Sequence, residues 1–211
     1  MGQIVDYFLN NSDSYFLAIW EHIWISLISL LAAVMIGVPA GFLCIRLRRT
    51  KKWIMSFFQV LRVIPSLALL LLLIPIMGTG MRPAIVALVI LAVPPILMNT
   101  DAGFSGVSEF MLETASGCGM SERQAWIKVR LPLAMPMILT GIKTAFIEII
   151  ASATLAAKIG AGGLGEIIFT GLGLNRFDLL LIGGITVALL SILAGIIMEL
   201  VDRAALPYRH V

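Results

Sequence analysis

Residues 23–45 read IWISLISLLAAVMIGVPAGFLCI, an uninterrupted run of 23 residues without a charged side chain. A helix needs about 20 apolar residues to cross the hydrocarbon core of a bilayer, so this run is long enough to span it. The stretch therefore predicts a transmembrane α-helix.

The composition of the whole chain places much of its surface in lipid. Of its 211 residues, 60% are hydrophobic and only 13% are charged, and the mean hydropathy is +1.03. A soluble domain of this size carries roughly a quarter charged residues, so there is too little polar surface here for a water-exposed globule. We therefore expect an all-α integral membrane protein with a single transmembrane domain over residues 1–211.

Four further apolar stretches qualify as spans, at residues 53–77, 83–98, 133–157 and 179–201. Pro65 lies inside the second span, where it removes one backbone hydrogen bond and is expected to kink the helix. That kink is either a gating element or a fixed feature of packing. Pro75, Pro94 and Pro95 are expected to end their spans. The chain thus predicts five transmembrane helices.

The positions of the basic residues predict the orientation. The loops after the first and third spans and the carboxyl-terminal tail together hold ten Lys or Arg residues, against three in the other loops. Because cytoplasmic loops are enriched in Lys and Arg, the amino terminus is expected outside and the carboxyl terminus in the cytoplasm. The net charge of +3 has this topological origin and does not indicate nucleic-acid binding.

The amino-terminal segment lacks Lys and Arg in its first twenty residues, so we expect no cleavable signal peptide there. Ile4, Val5, Phe8 and Leu9 recur at helical spacing, which fits either a surface-lying amphipathic helix or a simple extension of the first span. With only two cysteines, we expect no disulfide framework.

The segment at residues 100–132 is long for a connection in a helical bundle, and loops of that length are often functional. A first short helix is expected from Glu109 to Cys118, and Gly119 breaks it. Ser121 and Gln124 have capping-box spacing and predict the start of a second short helix. Pro132 is expected to close that helix. The result is a stiff helical hairpin on the cytoplasmic face.

The same segment carries a motif. It reads Glu113-Thr114-Ala115, three residues, Gly119, nine residues, then Val129-Arg130-Leu131-Pro132. This resembles the signature loop of the permease subunits of bacterial ABC importers, which is Glu-Ala-Ala, three residues, Gly, nine residues, then Ile-x-Leu-Pro. Thr114 and Val129 depart mildly from it, and the spacing is intact. The resemblance implies an ATPase-coupling loop formed by Glu113, Ala115, Gly119, Val129, Leu131 and Pro132.

Three further runs resemble the osmoprotectant permeases, which import glycine betaine, choline or carnitine. They are Ile64–Leu69, Pro94–Thr100 and Ile159–Gly165. The resemblance implies a type I importer with a second permease subunit, a cytoplasmic ATPase and an extracytoplasmic solute-binding protein. ATP and magnesium would lie on the ATPase, with no cofactor on this chain. Methionine-importer permeases share the glycine-rich run and remain an alternative, as does an ion-coupled secondary transporter.

Glycines follow the fourth span at Gly160, Gly162, Gly163 and Gly165. They permit a re-entrant turn beside a translocation pathway, or they form an ordinary helix cap and turn. Phosphate binding does not fit, because the run follows no strand.

Charged residues inside the spans are costly in lipid and should face protein or water. Lys143 and Glu148 are five residues apart, about 140° around a helix, so they are poor partners for each other. Glu148 either faces the pathway, near a cationic substrate, or pairs structurally with Arg62 or a neighbouring subunit. The two histidines lie near opposite ends and predict no metal cluster, and no catalytic set is visible.

Overall fold

The computed structural model describes residues 2–47 and 49–206, with side chains described from Tyr7 onward. Throughout these residues the regular secondary structure is helical, so the all-α prediction is confirmed. Arg48 and Arg209, counted among the ten loop and tail Lys and Arg residues, and His210, one of the two histidines, lie outside the described part of the chain.

Nine α-helices follow one another through the described residues. They are α1 Gly2–Arg46, α2 Lys51–Leu61, α3 Ser66–Met77, α4 Met81–Ser105, α5 Glu109–Gly117, α6 Glu122–Ala125, α7 Leu131–Ala156, α8 Leu164–Gly173 and α9 Phe177–Ala205. A π-helical turn, Trp126–Arg130, joins α6 to α7, and a 3-10 turn, Ala157–Ile159, follows α7. Four helical segments are long and apolar enough to cross a membrane. If the bent pair α2–α3 counts as one span, the number is five.

The core forms where α1, α4 and α7 pack together, and small residues let their backbones approach closely. A Cβ atom added to Gly41 of α1 would lie 2.7 Å from the Leu97 carbonyl oxygen of α4. A Cβ at Gly141 of α7 would lie 2.7 Å from the Asn99 side chain. Glycine at these crossings is typical of helix packing in membranes, where close approach replaces the hydrophobic effect as the source of stability.

The second span is broken, not kinked. Helices α2 and α3 meet at 94°, separated by residues 62–65. Pro65 precedes the first turn of α3 in an extended conformation, with φ −60° and ψ 133°. Because proline disfavours the α region for the residue before it, the helix stops there and restarts in a new direction. The kink predicted at Pro65 is thus a full break, and residues 53–77 do not form a single helix.

The third span is longer than predicted. Pro94 and Pro95 do not end it, since α4 continues to Ser105 with both prolines buried inside. Packing against α1 and α7 on either side offsets the lost hydrogen bonds. Pro75 likewise lies within α3, which ends at Met77. The connection that follows α4 consequently begins at Gly106 and not at residue 100.

Pro132 does not close the second short helix, contrary to expectation. The segment Glu122–Ile159 is helical throughout, and Pro132 lies in the first turn of α7. The π-helical turn Trp126–Arg130 immediately precedes it. A proline ring clashes with the carbonyl four residues earlier in a regular helix, and the wider π turn relieves that clash.

The amino-terminal segment continues the helix of the first span, with a kink at Asn11 where φ is −132° and ψ is 23°. The Tyr15 hydroxyl and the Thr186 hydroxyl of α9 are 2.8 Å apart. The buried His22 Nε2 lies 3.0 Å from the Ile150 carbonyl oxygen of α7. Residues 15–22 thus pack against the bundle, while the side chains of Ile4 and Val5 lie outside the described set.

Helix α8 was not predicted. It is a ten-residue apolar helix that packs on α9, where a Cβ atom at Gly183 would meet the Ile168 side chain. A sequence signal exists in its apolar run from Leu164 to Leu172, but the run is too short to span a bilayer.

Candidate functional site

A helical hairpin between α4 and α7 is built from α5, α6 and the π turn that follows α6. Helix α5 ends where Gly119 takes a left-handed φ of 80°, and the Met120 N–H donates to the Ala115 carbonyl at 3.1 Å. Ala115 is buried, whereas Glu113 points to the exposed side. The break expected at Gly119 is therefore present. Helix α5 has one buried face and one exposed face.

The capping box at the start of α6 is complete. The Gln124 N–H donates to the Ser121 hydroxyl at 3.3 Å, and the Ser121 N–H donates to the Gln124 side chain at 2.9 Å. Two N–H groups that have no partner within the helix are satisfied in this way. The short helix is thereby held in a defined direction at the turn of the hairpin.

An aromatic cluster joins the hairpin to the spans. The Trp126 ring stacks on Phe104 of α4 at 5.4 Å and meets the edge of Phe42 of α1 at 5.1 Å. Arg130 adds a hydrogen bond from Nη2 to the Phe104 carbonyl at 3.5 Å. These residues were missed from the sequence, because nothing local shows that the three rings meet. Aromatic residues on the hairpin and near the carboxyl ends of α1 and α4 were the available signal.

A second connection at the same end is an ion pair. Lys51 Nζ, at the start of α2, lies 2.8 Å from Asp101 Oδ2 of α4, and it also donates to the Ser105 hydroxyl at 3.0 Å. Asp101 is buried and Lys51 is one-third exposed. The pair fastens α2 to the bundle, although no described residue of α2 is itself buried.

The remaining motif residues lie along the helix that follows. Val129 belongs to the π turn, and Leu131 and Pro132 begin α7, each of them half-buried. The motif therefore extends from α5 through the hairpin to the first turn of α7.

The glycines after α7 form a tight turn at the opposite end of the bundle. Gly160, Gly162 and Gly163 all have positive φ, between 74° and 83°. The Glu21 carboxylate of α1 accepts a hydrogen bond from the Gly163 N–H at 2.9 Å. Gly165 packs against the Thr154 carbonyl with no room for a Cβ atom. The glycines at 160–165 thus form a helix cap and turn, and they also allow a close approach of two backbones.

The charged residues inside the spans are paired. Arg62 Nη2 lies 3.5 Å from Glu148 Oε1, and both side chains are nearly half-exposed. Lys143 Nζ donates to Glu199 Oε2 at 2.9 Å, so the partner of Lys143 is Glu199 and not Glu148. Glu199 of α9 was missed, because the sequence does not show which face of α9 meets α7.

No group of three or more His, Cys, Asp or Glu with metal-binding geometry occurs among the described residues. Cys44 is buried and Cys118 is exposed, and both are free thiols.

Apolar helices long enough to cross a membrane, together with a capped hairpin linked to them, fit a membrane transport protein of the permease class. The chain belongs to the family of binding-protein-dependent transport system inner membrane components, whose model matches residues 33–206. It is therefore a multi-pass protein of the inner membrane and a transport subunit, not an enzyme. The resemblance to importer permeases is confirmed.

Two relatives are close in length and sequence. The carnitine transport permease protein OpuCB of Listeria monocytogenes is 40% identical over 91% of this chain and 88% of its own length. The choline transport system permease protein OpuBB of Bacillus subtilis is 38% identical over 98% of this chain and 95% of its own length.

The fold is also that of solved importer permeases. An inward-facing structure of the MetNI methionine ABC transporter gives a TM-score of 0.79 at 23% identity and covers 90% of this chain and 95% of that chain. An amino acid ABC transporter with histidines gives 0.78 at 18% identity, covering 93% and 96%. At these identities the match concerns the fold alone.

Proposed function

We propose that this chain is the permease subunit of an ATP-driven importer for osmoprotectants such as glycine betaine, carnitine or choline. The observation that carries the proposal is the 40% identity to a carnitine permease along nearly the whole chain. The methionine alternative has support only from the fold, at 23% identity.

The exposed face of α5 is the proposed docking surface for a cytoplasmic ATPase, which carries ATP and magnesium. Phe110 is 74% exposed and Met111 48% exposed, beside the exposed carboxylate of Glu113. A push on this surface passes through Ala115 and the aromatic cluster to α1 and α4, and through the π turn to α7. The proposed coupling residues are Glu113, Ala115, Gly119, Val129, Leu131 and Pro132.

A second permease subunit and an extracytoplasmic solute-binding protein complete the proposed importer. Solute crosses between the two permeases, beside the break at Pro65, the charge of Glu148 and the outer glycines Gly160, Gly162, Gly163 and Gly165. In this arrangement residues 1–211 act as one transmembrane domain, with the amino terminus outside and the hairpin in the cytoplasm.

Reconstitution tests the function. The chain is purified with its co-expressed ATPase and permease partner, placed in liposomes and supplied with the binding protein and ATP. We expect ATP-dependent uptake of radiolabelled glycine betaine, carnitine or choline. Uptake of methionine in their place would favour the alternative substrate, and uptake without any ATPase would favour a secondary transporter.

Cys118 tests the orientation, because it is the exposed thiol of the hairpin. In intact cells a membrane-impermeant maleimide should leave it unlabelled, while inverted membrane vesicles should label it. Labelling in intact cells would place the hairpin outside and contradict the proposed topology.

A further inference from the structure

We propose that Arg62 and Glu148 form the contact for a quaternary ammonium solute at the break in the second span, with Glu148 facing the ammonium and Arg62 the carboxylate of a zwitterion. This inference rests on the proposed function. The two side chains carry opposite charges 3.5 Å apart and project from different spans. Their charges are complementary in sign to those of a betaine or carnitine zwitterion.

The pair is loose and accessible. A charge-assisted N–H···O bond is normally 2.7–2.9 Å long, and the Lys143–Glu199 pair meets that value at 2.9 Å. The Arg62–Glu148 separation exceeds it, with the side chains 45% and 43% exposed. Half-exposed charges within a membrane-spanning segment need water or protein rather than lipid around them. Both charges are thus free to exchange their mutual contact for a solute.

The backbone at the break leaves carbonyl oxygens available where α2 ends. Among the described residues, no backbone N–H donates to the carbonyl of Arg62, Val63 or Ile64. Non-helical backbone at membrane depth is tolerated where it is covered by protein or lines a water-filled cavity, and broken helices form the substrate sites of many transporters. A trimethylammonium group has no N–H to donate, so it is held by the electrostatic attraction of carboxylate and carbonyl oxygens.

The two residues should therefore act differently on different solutes. A zwitterion uses both, because its carboxylate accepts a bidentate contact from a guanidinium. Choline carries only the positive charge and uses Glu148 alone. A purely structural ion pair predicts no such distinction, because its loss would affect every solute equally.

The first experiment asks whether the break faces the pathway. Val63 is 80% exposed at the break, so Val63→Cys is made in a Cys118→Ser background and the full importer is treated with a charged, impermeant thiol reagent. We expect modification, slowed at least threefold by glycine betaine together with binding protein. An unreactive thiol, or one that solute does not protect, would overturn the proposal. This measurement does not depend on the charge variants.

The second experiment measures uptake of choline and glycine betaine by the reconstituted importer. Arg62→Gln should lower betaine uptake roughly tenfold, the effect of one charge-assisted contact, and leave choline uptake within twofold. Glu148→Gln should lower both. Lys143→Gln, in the other ion pair, is the matched control and should leave the choline-to-betaine ratio unchanged.

An unchanged choline-to-betaine ratio in Arg62→Gln would also overturn the proposal. If Arg62→Gln does not assemble, the Val63→Cys result decides. Failure of the wild-type importer to move either solute would instead count against the proposed function, so the two failures are distinguishable.

Discussion

The indole ring of Trp126 lies 5.4 Å from the phenyl ring of Phe104, centroid to centroid, with 24° between their planes. One ring belongs to the hairpin and the other to α4. Stacked aromatic pairs add about 0.5–1.5 kcal/mol to the burial of their area, so the contact resists separation when the hairpin moves. It therefore gives the hairpin a direct contact with α4, beside the continuous helical connection to α7.

Removing that contact should uncouple the importer. Trp126→Ala is expected to reduce ATP-driven solute uptake by roughly tenfold while the assembled complex retains basal ATPase activity, because the ATPase still binds α5 but its motion reaches α4 weakly. Uptake and phosphate release are measured on the same proteoliposomes. Trp53→Ala, at a tryptophan that is 79% exposed, is the control. Normal coupling in Trp126→Ala would exclude the aromatic route.

The capping box should stabilise α6 locally. Ser121→Ala removes a side-chain cap, and such losses cost about 1 kcal/mol. Amide hydrogen exchange over residues 122–125 should accelerate about fivefold, as that free energy implies. Ser108→Ala is the matched control, since Ser108 precedes α5 without a side-chain capping bond. Equal changes in the two variants would show that the Ser121 bonds do not hold the helix.

Gly165 should not tolerate a side chain. In Gly165→Ala the new Cβ would overlap the Thr154 carbonyl, and we expect a loss of about 1–3 kcal/mol from overpacking. Gly184→Ala adds a Cβ in open space on α9 and should be neutral or slightly stabilising. Thermal unfolding of the detergent-purified complex measures both. A Gly165→Ala complex as stable as the wild type would contradict the close packing of α7 and α8.

The ion pair between Lys51 and Asp101 should matter more than an exposed one. Lys51→Met leaves a buried carboxylate without its partner, and we expect a loss of about 1–3 kcal/mol, less than for a fully buried pair because Lys51 is one-third exposed. Adding Asp101→Asn should recover part of it. Arg203→Gln breaks the exposed Arg203–Glu199 pair and should change stability by less than about 1 kcal/mol.

That experiment is read as a double-mutant cycle on thermal stability. Additive losses in Lys51→Met and Asp101→Asn would mean that the two side chains do not interact in the assembled protein.

The sequence determined the class of protein, because long uncharged runs leave a helix in lipid as the only way to satisfy the backbone. It also determined the capping box and the break at Gly119, since both depend on residues a few positions apart. For the same reason the motif at residues 113–132 could be recognised from the sequence alone. Local chemistry was sufficient wherever the interacting groups are neighbours in sequence.

Tertiary structure decided the rest. Whether a proline ends, bends or continues a helix depends on what packs around it, so Pro65 breaks a span while Pro94 and Pro95 lie inside one. The partners of Lys143 and Trp126 come from helices far away along the chain, and their meeting depends on the rotation of each helix. Periodicity defines the faces of a helix, but only packing decides which faces meet.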